Sequence, residues 1–331
     1  MVKKFLTKRR HGIWYVVTTH EDGRRTFKST GTRDRLAAED ILGEGSNLRE
    51  ASTPTLVRFM DEILAYTGAT FAHATMQLYR DSLRALLGVF GDMPIDGITA
   101  RHVDRYKTTR VQRVKPITVN KELSTLRAAF NIAVRWGYLE KNPFVGVKKL
   151  VVPETPPAFF TREELQRLEE GTRGHWIHDV IVLGINTGMR AGELTSLTWE
   201  SIDFERRVIR LMNSNDFRTK TGRGRVIPCN ARACDLLVER KLREEDYVLT
   251  MGGRQIKKNW LSSAFRKAAR RVGIREELHF HSLRHTFASW LVQDGVSLYQ
   301  VARLLGHSDV KTTEVYAHLQ PETMHDVVAR L

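Results

Sequence analysis

Long apolar runs are missing from this chain. No window in its 331 residues approaches 18 consecutive apolar side chains, so no membrane-spanning helix is expected. The basic start, MVKKFLTKRR, runs into HGIWYVVTTHEDG, which has neither the continuous apolar core nor the small-residue cleavage site of a secretory signal. Cysteine is also scarce. Cys229 and Cys234 are the only two, and their spacing is neither that of a zinc knuckle nor that of a redox CxxC pair. A disulfide scaffold is thereby excluded, and a reducing, cytoplasmic compartment is expected. Internal repeats and low-complexity tracts are absent as well. Nothing in the pattern asks for a cofactor or a metal.

Acidic residues are the remaining shortage. The chain has 38 Asp and Glu against 53 Lys and Arg, a formal net charge of +15. Such an excess favours a polyanionic partner, most often nucleic acid; ordinary solvated surface charge is the alternative. The distribution favours nucleic acid. Residues 1–35 hold ten basic side chains against three acids, residues 205–225 seven against two, and residues 254–275 eight against none.

What is present divides the chain into three parts, 1–45, 54–146 and 158–331, in a mainly α fold with small β-sheets (α+β). KFLTKRR, IWYVVTTH and RRTFKSTG read as three short strands, with EDG as the hairpin turn between the second and third. A short helix follows over 34–42. The basic residues here interleave with Trp14, Tyr15 and Phe27, which suits a sheet laid on DNA; a protein-contact appendage is the alternative. Residues 43–54 read as a linker. Over 55–145 apolar residues recur at helical spacing, as in Met76, Tyr79, Leu83, Leu86, Leu87 and Phe90, and predict a four-helix unit. Pro153, Pro156 and Pro157 mark a second linker. A capping box at Thr161 and Glu164 opens the last part. Within it, DVIVLGINTG predicts a buried helix, ERRVIRLM and GRVIPCN a strand pair, and residues 231–242, 259–272, 282–294 and 297–305 further helices.

The chemistry-bearing residues sit in this last part. NTGMRAGEL places Arg190 at a helix start with Glu193 three residues on. RTKTGRGRVIP places Lys220 in the turn between two strands. HSLRH supplies His281 and Arg284, three apart and so on one helix face. LLGHSDVKTTEVY supplies His307, then Tyr316 nine residues later. Breaking a phosphodiester with a phenol needs loss of a proton whose ordinary pKa is about 10. It also needs arginines to pair the phosphate oxygens and a general acid for the leaving oxygen; cations in place supply the electrostatic stabilisation. Tyr299 is a second phenol, on a helix where packing or solvent is its expected environment. His279, His285 and His318 are read as structural, the His-x-x-Arg register selecting His281. Arg218, Arg223 and Arg225 crowd the Lys220 turn, and Lys257, Lys258, Arg266 and Lys267 lie on the basic 254–275 segment. These seven are candidate DNA contacts.

Taken together, T-G-M-R-A-G-E, a hairpin lysine, H-S-L-R, G-H and a tyrosine nine residues beyond that histidine resemble the tyrosine recombinase (phage integrase) family. The likeness is strongest over 158–320. The helical unit resembles the family's core-binding domain, and residues 3–42 resemble an arm-type DNA-binding domain. The resemblance implies a site-specific recombinase acting through a 3′-phosphotyrosyl link. Tyr316 would be the nucleophile, Arg190 and Arg284 the phosphate clamp, and Lys220 the acid for the 5′ oxygen. His281 would be an acid–base group, His307 a phosphate ligand, and Glu193 the orienter of a histidine or of the arginine clamp. It further implies a tetramer on paired DNA sites, a C-terminal tail that packs in trans, and accessory DNA-bending or directionality proteins. Two rivals share these residues: relaxation of DNA in the manner of a type IB topoisomerase, and a non-catalytic DNA-binding regulator.

Overall fold

Where apolar residues alternate the chain forms strands, and where they recur every three to four residues it forms helices. The computed structural model describes all residues except 1–2, 10–11, 21–22, 40–41, 43–52, 154, 213–223, 244, 322–327 and 330–331. The chain divides into two compact units, Met1–Pro153 and Glu154–Leu331.

The first unit opens with an antiparallel sheet in the order β1 (Lys3–Lys8), β2 (Trp14–Thr19), β3 (Arg25–Ser29). Its register sets Phe5 opposite Val17 and Val17 opposite Phe27. Arg9 lies over the rings of both Tyr15 and Phe27, at 5.0 and 4.9 Å, so cations and aromatics interleave in space as in sequence. Residues 35–39 and 42 are helical, within the expected 34–42, of which 40–41 lie outside the described residues, and the expected turn at 21–23 lies mostly outside them too. Four helices follow: α1 (Leu56–Thr70), α2 (His73–Phe90), α3 (Ala100–Val111) and α4 (Pro116–Arg135). Leu56, Phe59, Ile63, Leu83, Leu86, Leu126 and Phe130 form their shared core, as the spacing predicts. Pro116 takes the first position of α4, where its missing N–H costs nothing.

In the second unit, α5 (Arg162–Glu170) starts at the expected capping box, with Thr161 and Glu164 bonded reciprocally. Helix α6 (Ile177–Thr187) is the central core helix. Its Val180, Ile181 and Leu183 are buried, each worth about 1.5–3 kcal/mol of transfer free energy. Helix α7 (Ala191–Thr195) is short. A three-stranded antiparallel sheet follows, β4 (Ile202–Asp203), β5 (Val208–Leu211) and β6 (Arg225–Pro228). Then come α8 (Ala231–Lys241), the small hairpin β7 (Thr250–Met251) and β8 (Arg254–Gln255), α9 (Lys258–Arg271), α10 (Ser282–Gln293) and α11 (Leu298–Leu305). Strands β4, β7 and β8 have two residues each and leave no periodic trace in the sequence. Beyond α11 the chain runs through two 3-10 turns, Val310–Thr312 and Glu314–Leu319. Among the described residues no helix is long and apolar enough to cross a membrane.

Candidate active site

Two helices end on glycines, and their ends meet at Arg284. Helix α6 closes on Gly188 at φ +61°, and α11 closes on Gly306 at φ +67°. Side chains disfavour this left-handed conformation. Space forbids them too. A Cβ on Gly188 would lie 2.5 Å from Phe287 Cδ1, and one on Gly306 would lie 2.7 Å from Arg225 Cδ. The last carbonyls of the two helices converge: Arg284 Nη1 donates to Gly188 O at 2.7 Å, and Nη2 donates to Leu305 O at 2.6 Å. Helix C-termini carry partial negative charge, which suits a cation buried to 3% exposure. Burial, with Arg190 and Arg225 close by, pulls Arg284 down to about 9, so it remains a cation at neutral pH. Of its five N–H groups two are used in these bonds, leaving donors for an oxyanion.

Glu193 ties the next two arginines together. Arg190 is the N-cap of α7 in extended conformation. Its backbone N–H donates to Glu193 Oε2 at 2.7 Å, and its Nη1 to Oε1 at 3.1 Å. Arg225 adds a bidentate pair, Nη1 to Oε1 and Nη2 to Oε2, both 2.7 Å. Burial pushes the Glu193 carboxyl up, but the Arg225 hydrogen bonds and the charges of Arg225 and Arg190 outweigh it, and the group stays below the usual carboxylate range. Glu193 is therefore bonded to two arginines, Arg190 and Arg225, and to no histidine among the described residues. Arg225 is a correction. The sequence predicts a phosphate contact from the hairpin turn, yet its side chain is only 9% exposed and both terminal nitrogens are committed to Glu193. Its Nε is buried without a partner among the described residues. Arg225 is a clasp joining β6 to α7, with its stalk against Gly306.

The histidines gather beside these cations. His281 is the N-cap of α10, and its ring meets that of His285 edge-on, centroids 4.8 Å apart. His307 Nδ1 is bonded to Thr313 Oγ1 at 2.8 Å. Desolvation, reinforced by neighbouring cations and histidines, pushes His281, His285 and His307 each down to about 4, so all three are neutral at pH 7.

Tyr316 lies on the second 3-10 turn and is buried. Its ring packs with Ala288, Val292, Val301 and Leu305 in a small apolar cluster, and its hydroxyl is hydrogen-bonded to His285 Nδ1 at 2.6 Å. Burial pushes the phenol up to about 12, with Arg284 opposing. The sequence suggests a structural role for His285; the structure makes it the partner of the candidate nucleophile. A signal for this exists in the sequence, because His285 follows His281 by four residues and so shares its helix face. Tyr299 is 61% exposed, in keeping with one of its two expected environments.

A cavity of about 860 Å³ is lined by Arg190, Lys258, His281, Arg284 and His307. Tyr316 is not among its lining residues. Four-residue steps along α9 bring Lys258, Ser262, Arg266 and Arg270 to the same wall. Lys257 and Lys267 turn elsewhere: Lys257 sits over the Trp260 ring at 5.3 Å, and Lys267 lines a separate surface depression with Trp176 and Trp260. Lys220, Arg218 and Arg223 lie outside the described residues, as does much of the C-terminal tail, 322–327 and 330–331. Among the described residues no group of His, Cys, Asp and Glu is arranged to hold a metal ion.

Residues 159–323 match the phage integrase family, and residues 56–151 match the phage integrase N-terminal domain. A tyrosine recombinase XerC-like protein of Caldanaerobacter subterraneus subsp. tengcongensis is 30% identical over 283 residues, covering 72% of each chain. The fold is shared with the Tn1549 transposon integrase, solved in complex with a circular intermediate DNA, at a TM-score of 0.70 and 21% identity over 84% of this chain and 98% of that one. It is also shared with the lambda integrase, solved as a tetramer bound to a Holliday junction, at 0.69 and 19% over 96% of each.

Proposed function

The chain belongs to the phage integrase family, the tyrosine recombinases, and from that premise we propose how its own residues perform site-specific DNA strand transfer. Tyr316 attacks the scissile phosphate and forms a 3′-phosphotyrosyl bond. Arg190 and Arg284 hold the non-bridging oxygens, and His307 adds a hydrogen bond. His281, neutral at pH 7, is an acid–base group at the cavity wall. Lys220 protonates the departing 5′ oxygen. The bond energy is kept in the covalent link, so religation needs no external energy source. The observation that carries this reading is the meeting of Arg190, His281, Arg284 and His307, contributed by three separate segments, on one cavity.

The substrate is double-stranded DNA, with Lys258 and Arg266 on the cavity wall as phosphate contacts. The strand-rich residues 1–45, with cations stacked on Trp14, Tyr15 and Phe27, form a separate DNA-binding part ahead of a core-binding part, 54–146, and a catalytic part, 158–331. This arrangement favours integration or excision of a phage or other mobile element. The active assembly is a tetramer on paired sites, with the C-terminal tail exchanged between protomers and accessory DNA-bending proteins setting direction. A nicked duplex carrying the protein's own recombination site tests the chemistry. The native protein should accumulate a covalent DNA adduct, and Tyr316→Phe should bind the same duplex with near-native affinity and form none. A normal adduct from that variant removes Tyr316 from its role.

A further inference from the structure

Tyr316 faces two requirements at once. As the nucleophile it must reach the phosphate held in the cavity, yet it does not line that cavity and its ring is buried among Ala288, Val292, Val301 and Leu305. Its turn is tied to the rest of the site through two side-chain bonds. One is indirect: His307 Nδ1 bonds Thr313 Oγ1 at 2.8 Å, and the Tyr316 N–H donates to Thr313 O at 3.0 Å. The other is direct, His285 Nδ1 to the phenol at 2.6 Å. His285 itself is touched by the cavity wall, through the edge-on ring of His281 at 4.8 Å. A buried hydroxyl needs a partner, and no other side chain is bonded to this one among the described residues.

We propose that His285 is the positioning residue of the nucleophile: the Tyr316 hydroxyl donates to its neutral Nδ1, which seats the phenol beside the cavity until substrate engages His281 and His307. The tautomer is then the one with its proton on Nε2. The charged and titratable groups around His285 are His281, Arg284 and His279 on or just before its own helix, His307 beyond α11, and Tyr316 itself. None is a carboxylate, so among the described residues no anion draws a proton onto His285 and the acceptor stays free. In this seat the phenol keeps its proton, since burial raises Tyr316 and lowers His285. Release, and not deprotonation in place, is therefore the first step toward attack. That Tyr316 is the nucleophile rests on the function proposed above; the seat does not.

The test is nitration of the DNA-free protein by tetranitromethane, with each tyrosine followed by peptide mass spectrometry. Tyr299, which is exposed, gives the unhindered rate, and urea unfolding of the second unit reports any loss of folding. In the native protein Tyr316 should react far more slowly than Tyr299. His285→Phe keeps a ring but no acceptor, and should raise the Tyr316 rate about tenfold, as expected for loss of one buried hydrogen bond, with cooperative unfolding of the second unit retained. His285→Asn offers its side-chain amide near the place of Nδ1 and should restore protection. Equal protection in the native and Phe proteins overturns the proposal. So does an Asn variant as reactive as the Phe variant, or a native Tyr316 that reacts like Tyr299.

Discussion

The two halves of the candidate site are held in opposite ways. On the cation side three arginines are fixed by partners that do not need substrate. Arg284 is held by two helix-end carbonyls, and Arg190 and Arg225 by Glu193. On the tyrosine side the group sits on a 3-10 turn in a cluster of five buried residues, with one hydrogen bond to its hydroxyl. The difference teaches what each side is for. Phosphate charge is met without reorganisation only if the cations are placed beforehand. A nucleophile that must react on cue is better kept aside. Leaving the seat exposes the ring, at about 1.5–3 kcal/mol, and breaks a bond worth about 1 kcal/mol. At about 1.4 kcal/mol per tenfold, the released form is roughly a hundredth to a thousandth of the resting population.

Breaking the cation side should have the largest effects. Arg190→Ala removes a donor whose side chain is partly exposed, so cleavage should fall about 10² to 10³-fold while urea unfolding changes little. A large stability loss with intact cleavage would reverse the assignment. Glu193→Gln should do the opposite. It leaves Arg190 and Arg225 without their counter-charge in a buried setting, at a cost of about 3 kcal/mol, measurable as a lower denaturation midpoint, with a smaller fall in cleavage.

Acid should act through the histidines on both sides. Their ordinary value of 6.5 is depressed to about 4 in the fold. Between these limits the unfolded chain binds protons that the folded site refuses. Stability is therefore full above about pH 6.5 and falls as pH drops toward 4; His285→Phe should flatten part of that slope. A stability curve level across this range would contradict the neutral histidines. The smallest effect belongs to the cavity wall. Lys258→Ala or Arg266→Ala should weaken DNA binding alike on all sequences, each reducing the slope of log affinity against log salt by about 0.9.

Much of this contrast is legible in the sequence. Apolar periodicity locates the helices because their buried faces are continuous, and the residues at 190, 193, 281, 284, 307 and 316 stand out by spacing. The two glycines are visible as letters, but their reason is not: Gly188 and Gly306 matter because Phe287 and Arg225 approach them, a contact between residues far apart in sequence. Arg225 reads as outward-facing because it sits in a run of surface-like basic residues. Its alternation with buried Ile227 on β6 points inward and is the better guide. His285 is easily passed over because the His-x-x-Arg register needs only one histidine, although helical spacing puts both on one face. The 3-10 turns that carry Tyr316 have no period to read, so the seated state of the phenol is visible in the structure alone.

The central claim is that Tyr316, once released, is the group that joins DNA. Its most direct measurement is proteolysis of the trapped protein–DNA adduct followed by mass spectrometry of the nucleotide-bearing peptide. The account predicts one modified peptide, TTEVYAHLQPETMHDVVAR, with the nucleotide on Tyr316. A nucleotide on Tyr299, or on any residue other than Tyr316, would contradict it.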